Sequence, residues 1–325
     1  MTERRASLDW LKALLITFVV VWHARPWLLD AQAPFLARAC FGFFYFHATT
    51  LAVPTFLLVS LYLYFQGREA KPGYFGRRMA RLLQLYLFWT LTQWLTSWAF
   101  TGELAPLTFS HVLQGGPSLP YVGGSVFYFL SDLLVLTVLA EGYARLGPAW
   151  RARAGWAVAG FATGFVGLEQ AYGIPSYIGL EFFVLYVPAA FHAKELARHG
   201  RAFALAWFAF ACLESWLIAV HGLEVRTYCR YSNICGALAL MGYALSLDLP
   251  RRGAVETLSR LSLGVFAVHK IPQSLAHMAL AALATPQAAL APSNPQLLAL
   301  FACTVLGTGV MLWAMDRSPL RRFIR

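Results

Sequence analysis

Long apolar runs, separated by short groups of charged residues, prolines or glycines, dominate the pattern of the chain. Because a transmembrane helix needs roughly 20 mainly apolar residues, each run of that length predicts a membrane span. The runs cover residues 8 to 28, 41 to 65, 82 to 100, 124 to 145, 155 to 172, 177 to 193, 202 to 220, 230 to 247, 259 to 281 and 296 to 315. They predict an all-α polytopic membrane protein with about ten transmembrane helices. Residues 1–325 are expected to form a single integral-membrane domain without an appended soluble domain.

The first run follows two arginines, as the apolar part of a signal peptide would. No small-x-small cleavage site follows it, and Lys12 and His23 lie inside it. The sequence therefore predicts a helix that stays in the mature protein.

Composition supports the membrane assignment. The chain is 59% hydrophobic and only 13% charged, whereas soluble domains are about 25% charged, so a water-soluble globule is excluded. Five cysteines are scattered through apolar segments without CxxC spacing, which predicts buried thiols and no metal site or disulfide framework. They are Cys40, Cys212, Cys229, Cys235 and Cys303.

The net charge of +11 would suggest nucleic-acid binding in a soluble protein. Here, 20 of the 26 Lys and Arg residues lie in loops on one side of the predicted membrane. Lys12 and Lys270 lie within spans, and the other side carries Arg25, Arg38, Arg226 and Arg230. The positive-inside rule then predicts that both termini are cytoplasmic. The basic loops would face anionic membrane lipids, and no nucleic-acid partner is needed.

Lys12 and His23 are ionisable residues inside the first span, where such groups are costly and are functional candidates. Eleven residues separate them, so they project from one helical stripe about 16 Å apart along the axis. One interpretation is a polar path between two compartments. The alternative is that Lys12 extends to the cytoplasmic headgroups and His23 bonds to a neighbouring helix.

Arg78 and Arg81 lie three residues apart at the start of the third span, on one helical face. Their guanidinium groups could bind phosphates of membrane lipids or of a phosphorylated cytosolic substrate such as a coenzyme. The spacing does not separate these alternatives.

Other ionisable residues in or near the spans could be ordinary packing groups or part of a wet polar cavity open to the outside. Most map to the outer half with His23, and Glu141 maps inward. They are His47, Asp132, Glu141, Glu169, Glu181, Glu214, His269 and Lys270. A loop at residues 101–123, rich in Gly, Pro and Ser, is a candidate cover for such a cavity.

Four segments together resemble the acyltransferase-three family of membrane-bound O-acyltransferases. SLDWLKALLITFVVVWHA, from Ser7 to Ala24, is similar to the opening helix of the family, and VPTFLLVSLYLYF to its second helix. RRMARLLQLYLFW resembles the Arg-x-x-Arg loop, and LSRLSLGVFAVHK resembles a late helix that ends at His269. Two positions depart from the family pattern: Lys12 replaces a common Arg, and Leu61 follows Ser60 where Gly is usual.

The resemblance implies a cytoplasmic acyl-CoA donor, most commonly acetyl-CoA, and a hydroxyl acceptor such as a sugar or polysaccharide on the outer side of the inner membrane. It implies that Arg78 and Arg81 bind the coenzyme phosphates and that Lys12 lies on the donor path. His23 is expected to act as general base, without a metal; an acyl-histidine intermediate is the alternative. Possible supporting residues are Asp9, Ser60, Asp132 and His269.

A rival interpretation is a ten-helix secondary transporter or a flippase of a glycan pathway. A transporter of this kind predicts inverted repeats and helices broken at corresponding positions of the two halves. Pro54, Pro188 and Pro272 occur without a paired pattern. A flippase would bind its cargo without chemistry.

Overall fold

The computed structural model describes residues 5–26, 34–174, 179–222, 226–284 and 290–325, and no β-strand occurs within these ranges. The α-helices are α1 (Ala6–Ala24), α2 (Phe35–Phe43), α3 (Ala52–Ala70), α4 (Tyr74–Thr101), α5 (Phe109–Gln114), α6 (Tyr128–Arg145), α7 (Pro148–Tyr172), α8 (Leu180–Phe183), α9 (Tyr186–Phe191), α10 (Ala193–Leu196), α11 (Gly200–His221), α12 (Tyr231–Ser246), α13 (Gly253–Arg260), α14 (Ser262–Val268), α15 (Lys270–Leu283) and α16 (Asn294–Asp316). A π-helical turn (Phe44–Ala48) and 3₁₀ turns (Thr49–Leu51, Ala197–His199 and Pro319–Phe323) complete the fold. Arg4, residues 27–28 of the first predicted span and residues 177–178 of the sixth lie outside the described residues.

Among the described residues, four helical segments are long and apolar enough to cross a membrane. They are Ala6–Ala24, Leu36–Ala70, Ala193–His221 and Asn294–Asp316. The remaining predicted spans coincide with helices that are shorter, more polar or interrupted, such as α4, α6, α7 and α12. The chain is therefore an all-helical membrane protein, and the count of ten spans stays a prediction.

Helix α1 lies at the centre of the bundle, where it packs against α3, α12, α13, α14 and α16. Leu15 and Ile16 are completely buried, as expected for a helix that is apolar on nearly every face. Near the start of α1, the Ser259 hydroxyl of α13 donates to Asp9 over 2.5 Å. Helix α1 therefore has neighbours on several sides, although Trp10 and Leu14 remain exposed, and its ionisable residues Asp9, Lys12 and His23 are buried or half-buried.

The backbone between α2 and α3 departs from regular α-helix over the π-helical and 3₁₀ turns. Pro54 is one cause, because it has no N–H to donate to the Thr50 carbonyl and its ring crowds that group. Two threonine hydroxyls satisfy carbonyl groups in this irregular stretch: Thr49 donates to the Tyr45 carbonyl over 2.5 Å and Thr50 to the Phe46 carbonyl over 2.9 Å. Such compensation is needed where irregular backbone lies at membrane depth.

A second interruption separates α14 from α15 at His269. Pro272 accounts for it, since a proline inside a helix cannot bond to the carbonyl four residues earlier, here that of Val268. The break lies in a fully buried stretch of the bundle, and His269 itself is completely buried. Pro272 thus ends the regular hydrogen-bond pattern next to His269, whose ring bonds to the carbonyls of Val265 and Phe266 one turn earlier.

The loop before α6 lies across α4 and α15. From α4, the Gln93 amide donates to the Pro117 carbonyl over 2.7 Å. From α15, the Lys270 ammonium donates to the carbonyls of Val122 and Gly124 over 3.0 and 2.5 Å. The Lys270 ammonium is thereby satisfied inside the bundle, and the loop is held next to His269.

The expectation of buried cysteines is wrong for Cys40, Cys212 and Cys303, whose side chains are exposed, whereas Cys229 is buried. In a membrane protein the surface of the bundle faces lipid, where an apolar thiol carries no penalty. Apolar context therefore does not imply burial in this class of protein.

Gly115 lies in the turn between α5 and the loop that precedes α6. We predict that Gly115→Ala destabilises the protein. Its φ is +75°, and an added Cβ would lie 2.3 Å from the Phe127 Cβ. Left-handed strain and overpacking together should cost about 2–4 kcal/mol. The measurement is the midpoint of thermal unfolding in detergent.

Gly123→Ala is the matched control, because Gly123 has a φ of +71° but no atom within 4 Å of an added Cβ. It carries the strain without the clash, so its unfolding midpoint should fall less. Equal midpoints for the two variants would contradict the crowding at Gly115.

Candidate active site

One pocket of about 270 Å³ gathers four residues that the sequence singled out: Lys12, Ser60, Arg78 and Arg81. They come from α1, α3 and α4, which meet at one end of the bundle. The remaining lining is mainly apolar and includes Phe56, Phe129 and Phe266. This basic pocket therefore has cations on one part of its wall and an aromatic region on another.

Arg78 is positioned by Ser60. Its Nη2 donates to the Ser60 hydroxyl over 2.7 Å and to the Ser60 carbonyl over 3.3 Å, and its guanidinium lies 5.9 Å from the centre of the Tyr64 ring. The Nε of Arg78 is buried without a hydrogen-bond partner. Leu61, which replaces the usual glycine of the family pattern, is completely buried in the core. The departure at Leu61 thus leaves the contact between Ser60 and Arg78 in place.

Near the contact between Ser60 and Arg78, Glu141 joins the ends of α3 and α6. Its carboxylate accepts from the Tyr64 hydroxyl, from Arg68 Nε over 2.7 Å and from Arg145 Nε over 2.8 Å. The Glu141 cluster, defined as Tyr64, Arg68, Glu141 and Arg145, therefore supports the Tyr64 ring beneath Arg78. Sequence reasoning placed Glu141 on the inner side but did not find these partners.

The C-terminal segment Pro319–Arg325 lies against the basic pocket. Arg81 Nη2 donates to the carbonyl of Arg322 and, over 2.9 Å, to that of Arg325, which itself lines the pocket. Phe323 stacks on Phe88 with ring centres 3.8 Å apart. The sequence analysis does not assign this segment to a site. The available signal was the apolar pair Phe323 and Ile324 between arginines.

His23 and His269 form a histidine pair whose ring centres lie 5.1 Å apart. His269 Nδ1 lies 2.8 Å from the Phe266 carbonyl and 3.1 Å from the Val265 carbonyl. Both are acceptors, so Nδ1 carries the proton and Nε2 keeps a lone pair. His269 Nε2 is buried without a hydrogen-bond partner. The pair therefore brings a basic nitrogen into a buried site beside His23.

Phe266 connects the basic pocket to the histidine pair. Its side chain lines the pocket and packs on Phe129 with ring centres 5.2 Å apart, while its carbonyl accepts from His269 Nδ1. From the other end of the pocket, Lys12 stands on the same helix as His23, about 16 Å away along the axis. Cations, apolar side chains and two imidazoles thus follow one another through the bundle.

Two further predicted residues lie around this path. Asp9 accepts from Ser259 and lies 3.6 Å from the Lys12 ammonium, so it orients Lys12 at the pocket. Asp132 is buried on α6, with Glu181 and Tyr128 as its electrostatic neighbours. The idea that Asp132 orients His23 stays a prediction.

A second and larger cavity, of about 1020 Å³, lies beside the π-helical turn and α11. Its wall includes His47, whose Nε2 lies 2.8 Å from the Ser215 hydroxyl, and Glu169. It also includes Arg38, Arg226 and Arg230, which sequence reasoning placed on the outer side without assigning a site. We call it the arginine cavity.

Comparison with protein families identifies the family of the chain. The family model described as an acyltransferase domain matches residues 5–314, nearly the whole chain. The protein therefore belongs to the acyltransferase-three family and is a membrane acyltransferase. No curated protein and no solved structure showed a significant match to the chain.

We predict that Glu141→Gln loosens the inner end of the bundle. The amide keeps the shape but removes the charge that binds Arg68 and Arg145, and hydrogen bonds to charged groups are worth about 1.5–3 kcal/mol. The thermal unfolding midpoint should therefore fall. Glu195→Gln is the control, since Glu195 is exposed and contacts only His192 at 3.9 Å among the described ion pairs. An unchanged midpoint for Glu141→Gln would contradict the role of the cluster.

Proposed function

We propose that this acyltransferase moves an acyl group, most simply acetyl, from cytoplasmic acyl-CoA to a hydroxyl of a sugar, polysaccharide or similar acceptor at the outer face of the inner membrane. The observation that carries the proposal is the basic pocket: it gathers Lys12, Ser60, Arg78 and Arg81, and its lining residue Phe266 bonds through its carbonyl to His269 of the histidine pair. A transporter or a flippase does not need a pair of imidazoles next to such a pocket.

The proposed topology has ten spans with both termini in the cytoplasm. It is supported by the grouping of cations from distant parts of the sequence. Arg68 and Arg145 share Glu141, and Arg81 bonds to the backbone of Arg322 and Arg325. All five were assigned to the cytoplasmic side by the sequence, and all five lie at one end of the bundle.

In the donor step, Arg78 and Arg81 bind the phosphates of the coenzyme by charge-assisted hydrogen bonds. The buried Nε of Arg78 has no hydrogen-bond partner, so its N–H is a donor for a phosphate oxygen. The pantetheine arm then passes Lys12 along the apolar wall of the pocket. The distance of about 16 Å along α1 between Lys12 and His23 is comparable with the length of that arm.

In the transfer step, His23 takes the proton of the acceptor hydroxyl while the oxygen attacks the thioester carbonyl. The tetrahedral intermediate collapses, the carbon–sulfur bond breaks, and the thiolate of the coenzyme takes the proton back from His23. The products are an ester and free coenzyme A. His269 assists as a positioning residue, because its Nε2 lone pair can accept a hydrogen bond from the hydroxyl or from protonated His23.

His23→Ala should abolish transfer while leaving acyl-CoA binding intact, since His23 lies beyond the part of the pocket that holds the phosphates. General-base catalysis contributes typically 10²–10⁴-fold, so we expect a loss of at least about 100-fold in kcat. Purified protein, labelled acetyl-CoA and membranes that contain the native acceptor provide the assay. His199→Ala is the control, because His199 is exposed. Unchanged transfer by His23→Ala would refute the role of His23.

Replacing Arg78 and Arg81 together by alanine should raise the KM for acetyl-CoA by at least about 100-fold, because each of the two charge-assisted bonds lost is worth about 1.5–3 kcal/mol. The KM for S-acetylpantetheine, which lacks the nucleotide, should change little. Arg77→Ala is the matched control, since the Arg77 side chain bonds instead to the Pro72 carbonyl. A reduced amount of inserted protein with an unchanged KM would favour lipid headgroups as the partners of these arginines.

A further inference from the structure

The arginine cavity collects three of the four cations that the sequence assigns to the non-cytoplasmic side, namely Arg38, Arg226 and Arg230. Cations are disfavoured on that side by the positive-inside rule. These three arginines come from α2 and from the segment before α12. Their convergence on one cavity therefore indicates an anionic ligand. The fourth cation, Arg25, bonds to the Tyr45 hydroxyl over 2.9 Å in the adjacent π-helical turn.

Arg230 is the innermost of the three arginines and is only 6% exposed. One of its nitrogens, Nη1, donates to the Phe46 carbonyl over 3.0 Å, whereas its buried Nε has no hydrogen-bond partner. Buried donors in native proteins are nearly always satisfied. An acceptor supplied by a ligand would satisfy this donor.

The charge of the cavity wall is positive. Glu169 is the acidic residue of the lining, and one of its oxygens lies 3.5 Å from Arg226 Nε. Its other oxygen is buried without a hydrogen-bond partner. With three arginines against one carboxylate, the lining favours an anion, and a phosphate group offers the several acceptors that guanidinium groups bind best.

The rest of the cavity wall is apolar, and the cavity opens toward the side of the bundle. Phe43, Phe46 and Trp216 line the cavity with Ile218. Helix α11, which contributes Trp216, belongs to a segment only 11% buried within the described bundle, so most of its surface faces the surroundings of the protein. A ligand in this cavity would place an anionic head on arginines and an apolar chain along aromatic rings toward the lipid.

The wall of the cavity contacts α1 next to His23. Phe46 and Tyr45 contact Trp22, the residue before His23, with ring centres 6.2 and 4.8 Å apart. The π-helical turn therefore forms the wall between the cavity and the proposed reaction centre. Such turns occur frequently at functional sites.

We infer that the arginine cavity binds the phosphate or diphosphate head of a lipid-linked acceptor and that Arg230 is its anchor. This inference rests on the proposed function, since it names the class of acceptor that receives the acyl group. The phosphate is held beneath Phe46 while the attached sugar reaches past the π-helical turn to His23.

Binding of farnesyl diphosphate to the purified full chain tests the inference. Native mass spectrometry in detergent, with farnesol and inorganic diphosphate as partial probes, separates the contributions of head and chain. We expect farnesyl diphosphate to bind at least about tenfold more tightly than either partial probe. Phosphatidylglycerol as competitor distinguishes a lipid-linked acceptor from bulk phospholipid: equal binding of the two lipids would overturn the assignment to an acceptor.

Arg230→Gln should weaken farnesyl diphosphate binding by about tenfold or more, and Arg38→Gln, at an exposed position of the lining, should weaken it less. Arg198→Gln is the control, since Arg198 is exposed and outside the lining. If Arg230→Gln does not fold, Arg38→Gln alone must still reduce binding. Unchanged binding in the folded variants would refute the inference.

A second readout separates this inference from the proposed function. Arg230→Gln should lower transfer to the native acceptor while leaving the KM for acetyl-CoA unchanged, whereas failure of His23→Ala to alter transfer would refute the proposed chemistry. Normal transfer by Arg230→Gln together with a defective His23→Ala would overturn the acceptor site alone.

Discussion

Positive charge must be neutralised or hydrogen-bonded when it is placed among apolar helices, and this chain has 26 Lys and Arg residues against 15 Asp and Glu. Backbone carbonyl groups supply much of the difference where helices end or loops enter the bundle. Lys270 binds the loop before α6, Arg81 binds the C-terminal segment, and Arg230 binds the π-helical turn. Each of these contacts also joins parts of the chain that are distant in sequence. Hydrogen bonds from cationic side chains to backbone carbonyls of loops and turns therefore help to hold the fold together.

Two prolines lie beside features of the proposed reaction centre. Pro272 follows His269, whose ring bonds to the carbonyls of Phe266 and Val265 one turn earlier. Pro54 helps to create the turns between α2 and α3, beside which the arginine cavity lies. The two proline positions thus define the two sides of the proposed reaction centre.

Local sequence signals predicted the helical class and the membrane setting, because apolar runs and loop charges act over short ranges. The spacing of Lys12 and His23, and of Arg78 and Arg81, also follows from helix geometry alone, and the family resemblance gave an order to these motifs. The contact of His23 with His269 could not be predicted in the same way, since it depends on how α1 packs against α14 and α15. The same holds for the placement of the C-terminal segment on Arg81 and for the convergence of Arg38 with Arg230, both of which arise from tertiary packing.

The position of the C-terminal segment has a practical consequence. The carbonyl of Arg325 bonds to Arg81, and Phe323 is locked against Phe88. Any residues that follow Arg325, whether natural or added as a purification tag, therefore leave the protein beside the mouth of the basic pocket. A tag at that end would compete for space with the nucleotide of the proposed acyl-CoA donor, so kinetic comparisons between variants are best made with the affinity tag attached elsewhere.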